Sequence, residues 1–100
     1  MNGFFDDLGQ RWLVAAERRS ARIEAPSLDA KVALELLELA RVAAHTQERR
    51  FAPLSCFMAG VATERLRAVT GSLDDAAVAA FILEVRQGLE RDAPAESTGR

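Results

Sequence analysis

Hydrophobic residues recur at intervals of three or four in four segments of the chain, and proline, glycine or serine separates these segments. Such spacing places apolar side chains on one face of a helix. The pattern predicts helices from about residue 4 to 20, 28 to 49, 52 or 53 to 69, and 73 to 89. No segment shows the alternation typical of a strand. We therefore predict an all-α fold, a compact four-helix bundle-like domain over residues 1–90, followed by a disordered tail over 91–100.

The connectors contain residues that begin and end helices. Ser27 is expected to cap the second helix, and Pro53 suits the first turn of the third. Gly71 is expected to end the third helix in a left-handed conformation. Ser72 would then cap the fourth helix, with Asp75 three residues later as in a capping box.

The second and fourth helices are expected to bury one face each. The apolar face of the second comprises Val32, Leu36, Leu39, Ala40 and Ala43. Its opposite, solvated face comprises Lys31, Glu35, Glu38, Arg41, His45 and Arg49. The inward residues of the fourth helix are Ala77, Val78, Phe81, Ile82, Val85 and Leu89.

The third helix differs because one side is bulky and the other is built mostly from small residues. Its apolar face is expected to comprise Leu54, Phe57, Met58, Val61, Ala62, Ala68 and Val69. The other side comprises Cys56, Gly60, Thr63 and Arg67. Glycine inside a helix costs about 1 kcal/mol relative to alanine, so Gly60 indicates close approach by another helix. We favour a helix of the same chain, while a second copy or another protein stays open.

Composition narrows the class of protein. Of the 100 residues, 49% are hydrophobic and 28% charged, as is usual for a folded domain. The net charge of −2 counts against nucleic-acid binding, which usually needs a basic excess.

One cysteine, Cys56, fits a reducing compartment. Acidic Asp6 and Asp7 stand where a signal peptide is basic, and no apolar run approaches the ~18 residues of a membrane span. We expect a cytoplasmic protein that does not contact membrane.

Residues for catalysis or metal binding do not assemble into a recognised pattern. The chain has no HExxH, GxSxG or CxxC sequence and no nucleotide-binding glycine pattern. One histidine and one cysteine are too few for a zinc site without other ligands. The sequence therefore predicts a protein that is not an enzyme and that has no metal or cofactor.

His45 and Cys56 each allow two interpretations. His45 lies on the polar face of the second helix, where a solvated surface histidine is favoured and contact with a partner is the alternative. Cys56 lies near the start of the third helix, where the helix dipole lowers the pKa of a thiol and favours a nucleophile. A small, partly buried apolar side chain is nevertheless the favoured role for Cys56.

A family resemblance rests on the segment 39–49, LARVAAHTQER, followed by APL at 52–54 and FMAG at 57–60. This pattern resembles a small actinobacterial helical domain of unknown function found beside, or fused to, molybdenum-cofactor guanylyltransferases. The resemblance covers about residues 28–62 and includes His45, Arg49, Pro53 and Gly60. The chain departs from the pattern at Arg50, where the family often has proline. The resemblance implies an accessory role in cofactor delivery and no established activity.

These observations together predict a non-catalytic helical interaction or accessory module whose protein partner is a molybdenum-cofactor enzyme. The candidate contact residues are His45, Arg49, Arg50, Pro53, Cys56, Gly60 and Arg67. The alternative is a self-associating structural bundle, a homodimer. A small regulator that binds nucleic acid through its arginines is less favoured, because the chain is acidic.

Overall fold

The computed structural model describes residues 3–93, which form four α-helices and no strand. These are α1 (Gly3–Glu17), α2 (Ala30–Thr46), α3 (Phe51–Thr70) and α4 (Asp75–Arg91). The all-α prediction is confirmed. The chain divides into two compact units, unit 1 (Met1–Ala30) and unit 2 (Lys31–Arg100). That residues 1–90 form one domain stays a prediction. Of the predicted tail, Arg91 belongs to α4, and 94–100 lie outside the described residues.

Capping residues differ in part from those expected at the two ends of the connector between α3 and α4. Gly71 ends α3 as predicted, with φ 87°, and its N–H donates to the carbonyl of Arg67 at 2.8 Å. The prediction for Ser72 is wrong, since Asp74 is the N-cap of α4. The Asp74 carboxylate accepts a hydrogen bond from the N–H of Ala77 at 2.8 Å. Aspartate and serine cap about equally well, so sequence alone does not choose between neighbouring candidates.

The start of α2 also differs from the prediction. The helix begins at Ala30, so Ser27 is not at the N-cap position, which directly precedes the first helical residue. The prediction that Ser27 caps α2 is therefore wrong. The residue directly before α2 is Asp29, two positions after Ser27.

In unit 1, an extended segment after α1 returns to pack against that helix. Gly9 is the buried residue of α1, and a Cβ built on it would lie 2.3 Å from the carbonyl oxygen of Pro26. The chain reverses at Ser20, which has φ 60°. The N–H of Ser20 donates to Glu17 at 2.9 Å and that of Ala21 to Ala16 at 3.0 Å. These two bonds form the Schellman motif that ends α1.

In unit 2, α2, α3 and α4 pack around a small apolar core. Leu39 of α2 and Val78 and Ile82 of α4 are buried at its centre. Surrounding this centre are the partly buried residues Val32, Leu36, Ala59 and Leu73. Of the ion pairs Glu35–Arg86 and Arg41–Glu90, the second uses the later residue of both helices. The two helices α2 and α4 therefore run in the same direction. Short connectors join α3 to both, and α3 runs in the opposite direction.

The apolar face predicted for α3 is largely exposed. Leu54, Phe57, Met58 and Val69 of the predicted apolar face have exposed fractions of 60%, 73%, 71% and 86%. Of the small side, Thr63 is buried and Cys56 half-buried, as packing within the chain predicts, whereas Gly60 is exposed. Small side chains at a helix contact let the two backbones approach more closely. The bulky side of α3 is consequently left on the surface of unit 2.

Candidate interaction surfaces

An apolar groove lies between the N-terminal half of α3 and the C-terminal half of α4. Its volume is about 270 Å³. Its lining consists of Leu39 from α2, Ser55, Met58, Ala59 and Ala62 from α3, and Phe81, Ile82, Val85 and Leu89 from α4. Ser55 contributes the one polar side chain of this set. The groove exists because α3 places serine and alanine where larger side chains would fill the space against α4.

The walls of this groove carry exposed apolar side chains. Met58 is 71% exposed on the α3 side. Val85 and Leu89, which were expected to be inward, are 51% and 44% exposed on the α4 side. That expectation is wrong because the groove opens at this end of α4 and leaves both side chains without full cover. Single exposed apolar residues are ordinary, whereas a contiguous apolar patch around a concave surface marks binding sites.

One end of the groove lies beside the connector between α2 and α3. Leu89 is next to Glu90, whose carboxylate accepts a hydrogen bond from Arg41 of α2 at 3.1 Å. The same end of unit 2 therefore contains the connector with Arg49 and Arg50, both exposed. The Arg50 guanidinium donates to the carboxylate of Glu48, which leaves the connector with one cation in excess. The connector therefore adds one excess positive charge at this end of unit 2, beside the Arg41–Glu90 pair.

The outward-facing side of α3 carries a second surface, separate from the groove. A shallow depression of about 570 Å³ follows it. Its lining consists of Cys56, Phe57, Gly60, Val61, Glu64, Arg65 and Ala68. Gly60 is exposed, and no atom of the described residues lies within 4 Å of a Cβ built on it. We call this surface, together with Arg50 and Leu54, the outer stripe of α3.

The predicted contact residues of α2 and the following connector are on the surface. His45 is exposed near the end of α2, which agrees with both interpretations of this residue. Arg49 and Arg50 follow it and are also exposed. These three residues lie at the end of unit 2 where the groove opens, so the structure places them near one apolar surface that the sequence analysis did not identify.

The predicted contact residues of α3 behave differently from one another. Pro53, Gly60 and Arg67 are spaced by seven residues and share one side of the helix. Arg67 makes its polar contacts within unit 2, because it pairs with Glu64 and donates to the carbonyl of Leu73 at 3.4 Å. Packing within the chain was the favoured interpretation of the small side of α3. It holds for Thr63 and Cys56 but not for Gly60.

Cys56 is held inside unit 2. Its Sγ donates to the carbonyl of Leu36 at 3.6 Å, and the side chain is half-buried. Burial raises the pKa of the Cys56 thiol, opposite to the lowering that a helix N-terminus produces. A raised pKa leaves less thiolate at neutral pH, which agrees with a packing role rather than a nucleophile.

A network of ion pairs joins α2 to α4 beside the groove. Arg86 donates to Glu35 at 3.0 Å and to Glu90 at 2.8 Å, while Arg41 donates to both Glu38 and Glu90. Hydrogen bonds from Arg86, and then from Arg41, lower the pKa of Glu90. The same carboxylates raise the pKa of Arg86. This network holds the two helices in parallel alignment.

The network corrects one further expectation. Glu35 was placed on a solvated face of α2, but its side chain is 16% exposed and that of Arg86 is 15% exposed. Glu35 and Arg86 lie 51 positions apart, so no local pattern in the sequence indicates their contact. The available signal was Arg86 itself, a cation on the otherwise apolar side of the fourth predicted helix.

Within residues 3–93, no group of three or more His, Cys, Asp or Glu side chains is arranged to hold a metal ion. Over the same residues, every helix is too short or too polar to cross a membrane.

Comparison with known proteins adds the family. A family model described as "Domain of unknown function (DUF6457)" matches residues 6–97, nearly the whole chain. No curated protein and no solved structure matches the chain.

Proposed function

This chain belongs to the family described as Domain of unknown function (DUF6457), and we propose that it is a non-catalytic interaction module whose α3–α4 groove binds an amphipathic helix of a partner protein. The observation that carries the proposal is the groove itself. It is apolar, partly open to solvent and bordered by the exposed side chains of Met58, Val85 and Leu89.

The composition of the groove favours a helix over a small molecule. Small-molecule sites usually combine an apolar cavity of about 300–1,000 Å³ with several polar groups that orient the ligand. The volume of this groove, about 270 Å³, is close to that range, but Ser55 is its one polar lining side chain. A helix needs no such orienting groups, because it anchors apolar side chains spaced by three, four and seven residues.

The charge at one end specifies the chemistry of the partner helix. The groove opens beside the connector with Arg49 and Arg50, which has an excess of one cation. We therefore expect the bound helix to carry acidic residues at the end that reaches this connector. Charges at the rim of an interface set orientation and association rate more than affinity. Apolar contacts with Met58 and Val85 would supply most of the binding energy.

The resemblance described above extends the proposal to a class of partner. The segment around His45, Arg49 and Pro53 is similar to domains found beside molybdenum-cofactor guanylyltransferases. We accordingly propose that the partner is an actinobacterial enzyme of molybdenum-cofactor synthesis or a molybdoenzyme, and that the module serves it in the cytoplasm. This extension is supported by the resemblance alone, whereas the groove supports the binding of a helix whatever its source.

A peptide selection tests the groove directly. A displayed library of amphipathic helical peptides would be selected on the purified full chain, and selected peptides titrated by fluorescence anisotropy. We expect apolar residues at helical spacing with acidic residues at one end. Met58→Glu should weaken binding by at least about tenfold, because it puts a charge in the apolar contact.

The matched control is Glu84→Lys on the exposed side of α4, which should leave peptide affinity unchanged. Met58 is 71% exposed, so its substitution is not expected to unfold unit 2, and circular dichroism would verify this. Selected peptides that bind Met58→Glu as well as the unmodified chain would contradict the proposal.

A further inference from the structure

The outer stripe of α3 has a symmetrical arrangement of charge about an aromatic centre. Phe57 lies at the middle of the stripe and is 73% exposed. Arg50 is seven residues before it and Glu64 seven residues after it. Seven residues are close to two helical turns, so all three lie along one line of the helix surface. Arg50 is the N-cap of α3 and has helical backbone angles, φ −73° and ψ −8°, so it continues this line.

We propose that the outer stripe binds the same stripe of a second copy of this chain, with the two α3 helices antiparallel and crossing at Phe57. In that arrangement Arg50 of each copy lies opposite Glu64 of the other. The interface is isologous, the type found in two-fold symmetric dimers, because one surface contacts itself.

The sizes of the intervening side chains fit the same pairing. Leu54 lies three residues before Phe57 and Gly60 three residues after it. An antiparallel crossing at Phe57 therefore brings Leu54 of one copy against Gly60 of the other. Leu54 is 60% exposed, and the space around Gly60 is open in the described residues. A large side chain entering the space beside a small one is the usual packing of paired helices.

The charge pattern favours a second copy over an unrelated partner. Along the line through Phe57, a cation and an anion at equal distances from the centre make the stripe complementary to its own antiparallel copy, and Arg65 lies to one side of that line. Within one chain, Arg50 pairs with Glu48 and Glu64 with Arg67, but exposed pairs of this kind contribute little and compete weakly. The groove lies on the other edge of α3, so this inference goes beyond the proposed function and does not depend on it.

Charge reversal at the two ends of the stripe provides the test. Sedimentation equilibrium of the full chain, from micromolar to millimolar concentration, should show a mass that rises from 10.9 kDa toward twice that value. Arg50→Glu and Glu64→Arg each place like charges at both ends of the interface. Each variant alone should dimerise at least about tenfold more weakly. An equimolar mixture of the two variants should regain dimers, because every end contact is again between opposite charges.

Glu84→Arg, on the exposed side of α4, is the matched control and should dimerise as the unmodified chain does. A monomer mass at every concentration would overturn the inference. So would dimers that persist in both single variants, or a mixture that associates no better than its components. Titrating a groove-binding peptide onto Glu64→Arg keeps the two proposals separate, because Glu64 lies outside the groove lining and peptide affinity should not change.

Discussion

At the scale of single residues, two helical glycines differ in the space around them. A Cβ on Gly9 would lie 2.3 Å from the carbonyl oxygen of Pro26, whereas a Cβ on Gly60 would meet nothing within 4 Å in the described residues. Gly9→Ala should therefore lower the free energy of unfolding of unit 1 by about 1–3 kcal/mol, the usual cost of overpacking. Gly60→Ala should raise that of unit 2 by about 0.5–1 kcal/mol.

Urea denaturation checks this pair. Trp12 is the one tryptophan of the sequence and lies in α1, so its fluorescence reports on unit 1, while circular dichroism follows the helices as a whole. An increase in stability for Gly9→Ala would show that the segment containing Pro26 does not hold its place against α1.

Thr63 gives a second prediction at this scale. The residue is 6% exposed, and its Oγ1 has no hydrogen-bond partner among the described residues. A buried hydroxyl without a partner costs about 1–3 kcal/mol. Thr63→Val keeps the shape and removes the hydroxyl, so it should raise the free energy of unfolding by about 1 kcal/mol.

Thr46→Val is the matched control for Thr63→Val, because Thr46 Oγ1 donates to the carbonyl of Val42 at 2.7 Å. Losing that bond should lower stability by about 0.5–1.5 kcal/mol in the same urea titration. Equal effects of the two valines, in either direction, would contradict this account of Thr63.

At the scale of elements, the end of α1 is held by a residue in an unfavourable conformation. Ser20 is the described non-glycine residue with positive φ, at 60°. Glycine adopts this conformation without the steric cost of a Cβ. Ser20→Gly should therefore stabilise unit 1 by about 0.5–1 kcal/mol and raise its thermal midpoint, because the steric strain relieved exceeds the entropy that glycine loses on folding. Ser27→Gly in the following segment is the control and should give no gain; a loss of stability at position 20 would disprove the assignment.

The network between α2 and α4 predicts a dependence on pH. The hydrogen bonds from Arg86 and Arg41 lower the pKa of Glu90 in the folded chain. A carboxyl group with a lowered folded pKa stabilises the fold above its unfolded pKa, about 4.3, and this stabilisation is lost as pH falls through the folded value. The free energy of unfolding should therefore decrease as pH falls below about 4.3.

Glu90→Gln should remove part of this decrease, as measured by the urea midpoint of unit 2 between about pH 3 and about pH 6. Glu84→Gln, on the exposed side of α4, is the control. A pH dependence that is identical in Glu90→Gln and the unmodified chain would contradict the role given to this carboxylate.

Sequence periodicity predicted the number and type of the described elements, but not which way α3 faces. Both sides of α3 are largely apolar, so periodicity did not show that the side with Thr63 and Cys56 packs inward while Phe57 stays outside. The groove was missed for the same reason, because it depends on where the small residues of α3 meet α4. Long-range pairs such as Glu35 with Arg86 leave no local pattern in the sequence.

At the scale of the whole molecule, the described surfaces of unit 2 differ in character. The contact between α2 and α4 is fixed by Arg86 and its carboxylates. The groove between α3 and α4 is apolar and lacks a partner in unit 2 along its exposed walls. An interaction module needs this combination, since the framework must stay fixed while one surface remains available.

The central claim is that a partner protein places a helix in the α3–α4 groove, and site-specific photo-cross-linking in the native host tests it most directly. A benzophenone amino acid at Val85, at the groove, would be compared with the same group at Glu84, on the exposed side of α4. The account predicts a protein adduct at Val85 that is absent at Glu84 and that maps to an amphipathic helix with acidic residues at one end. Equal adducts at both positions, or an adduct mapping to a segment without an apolar helical face, would contradict it.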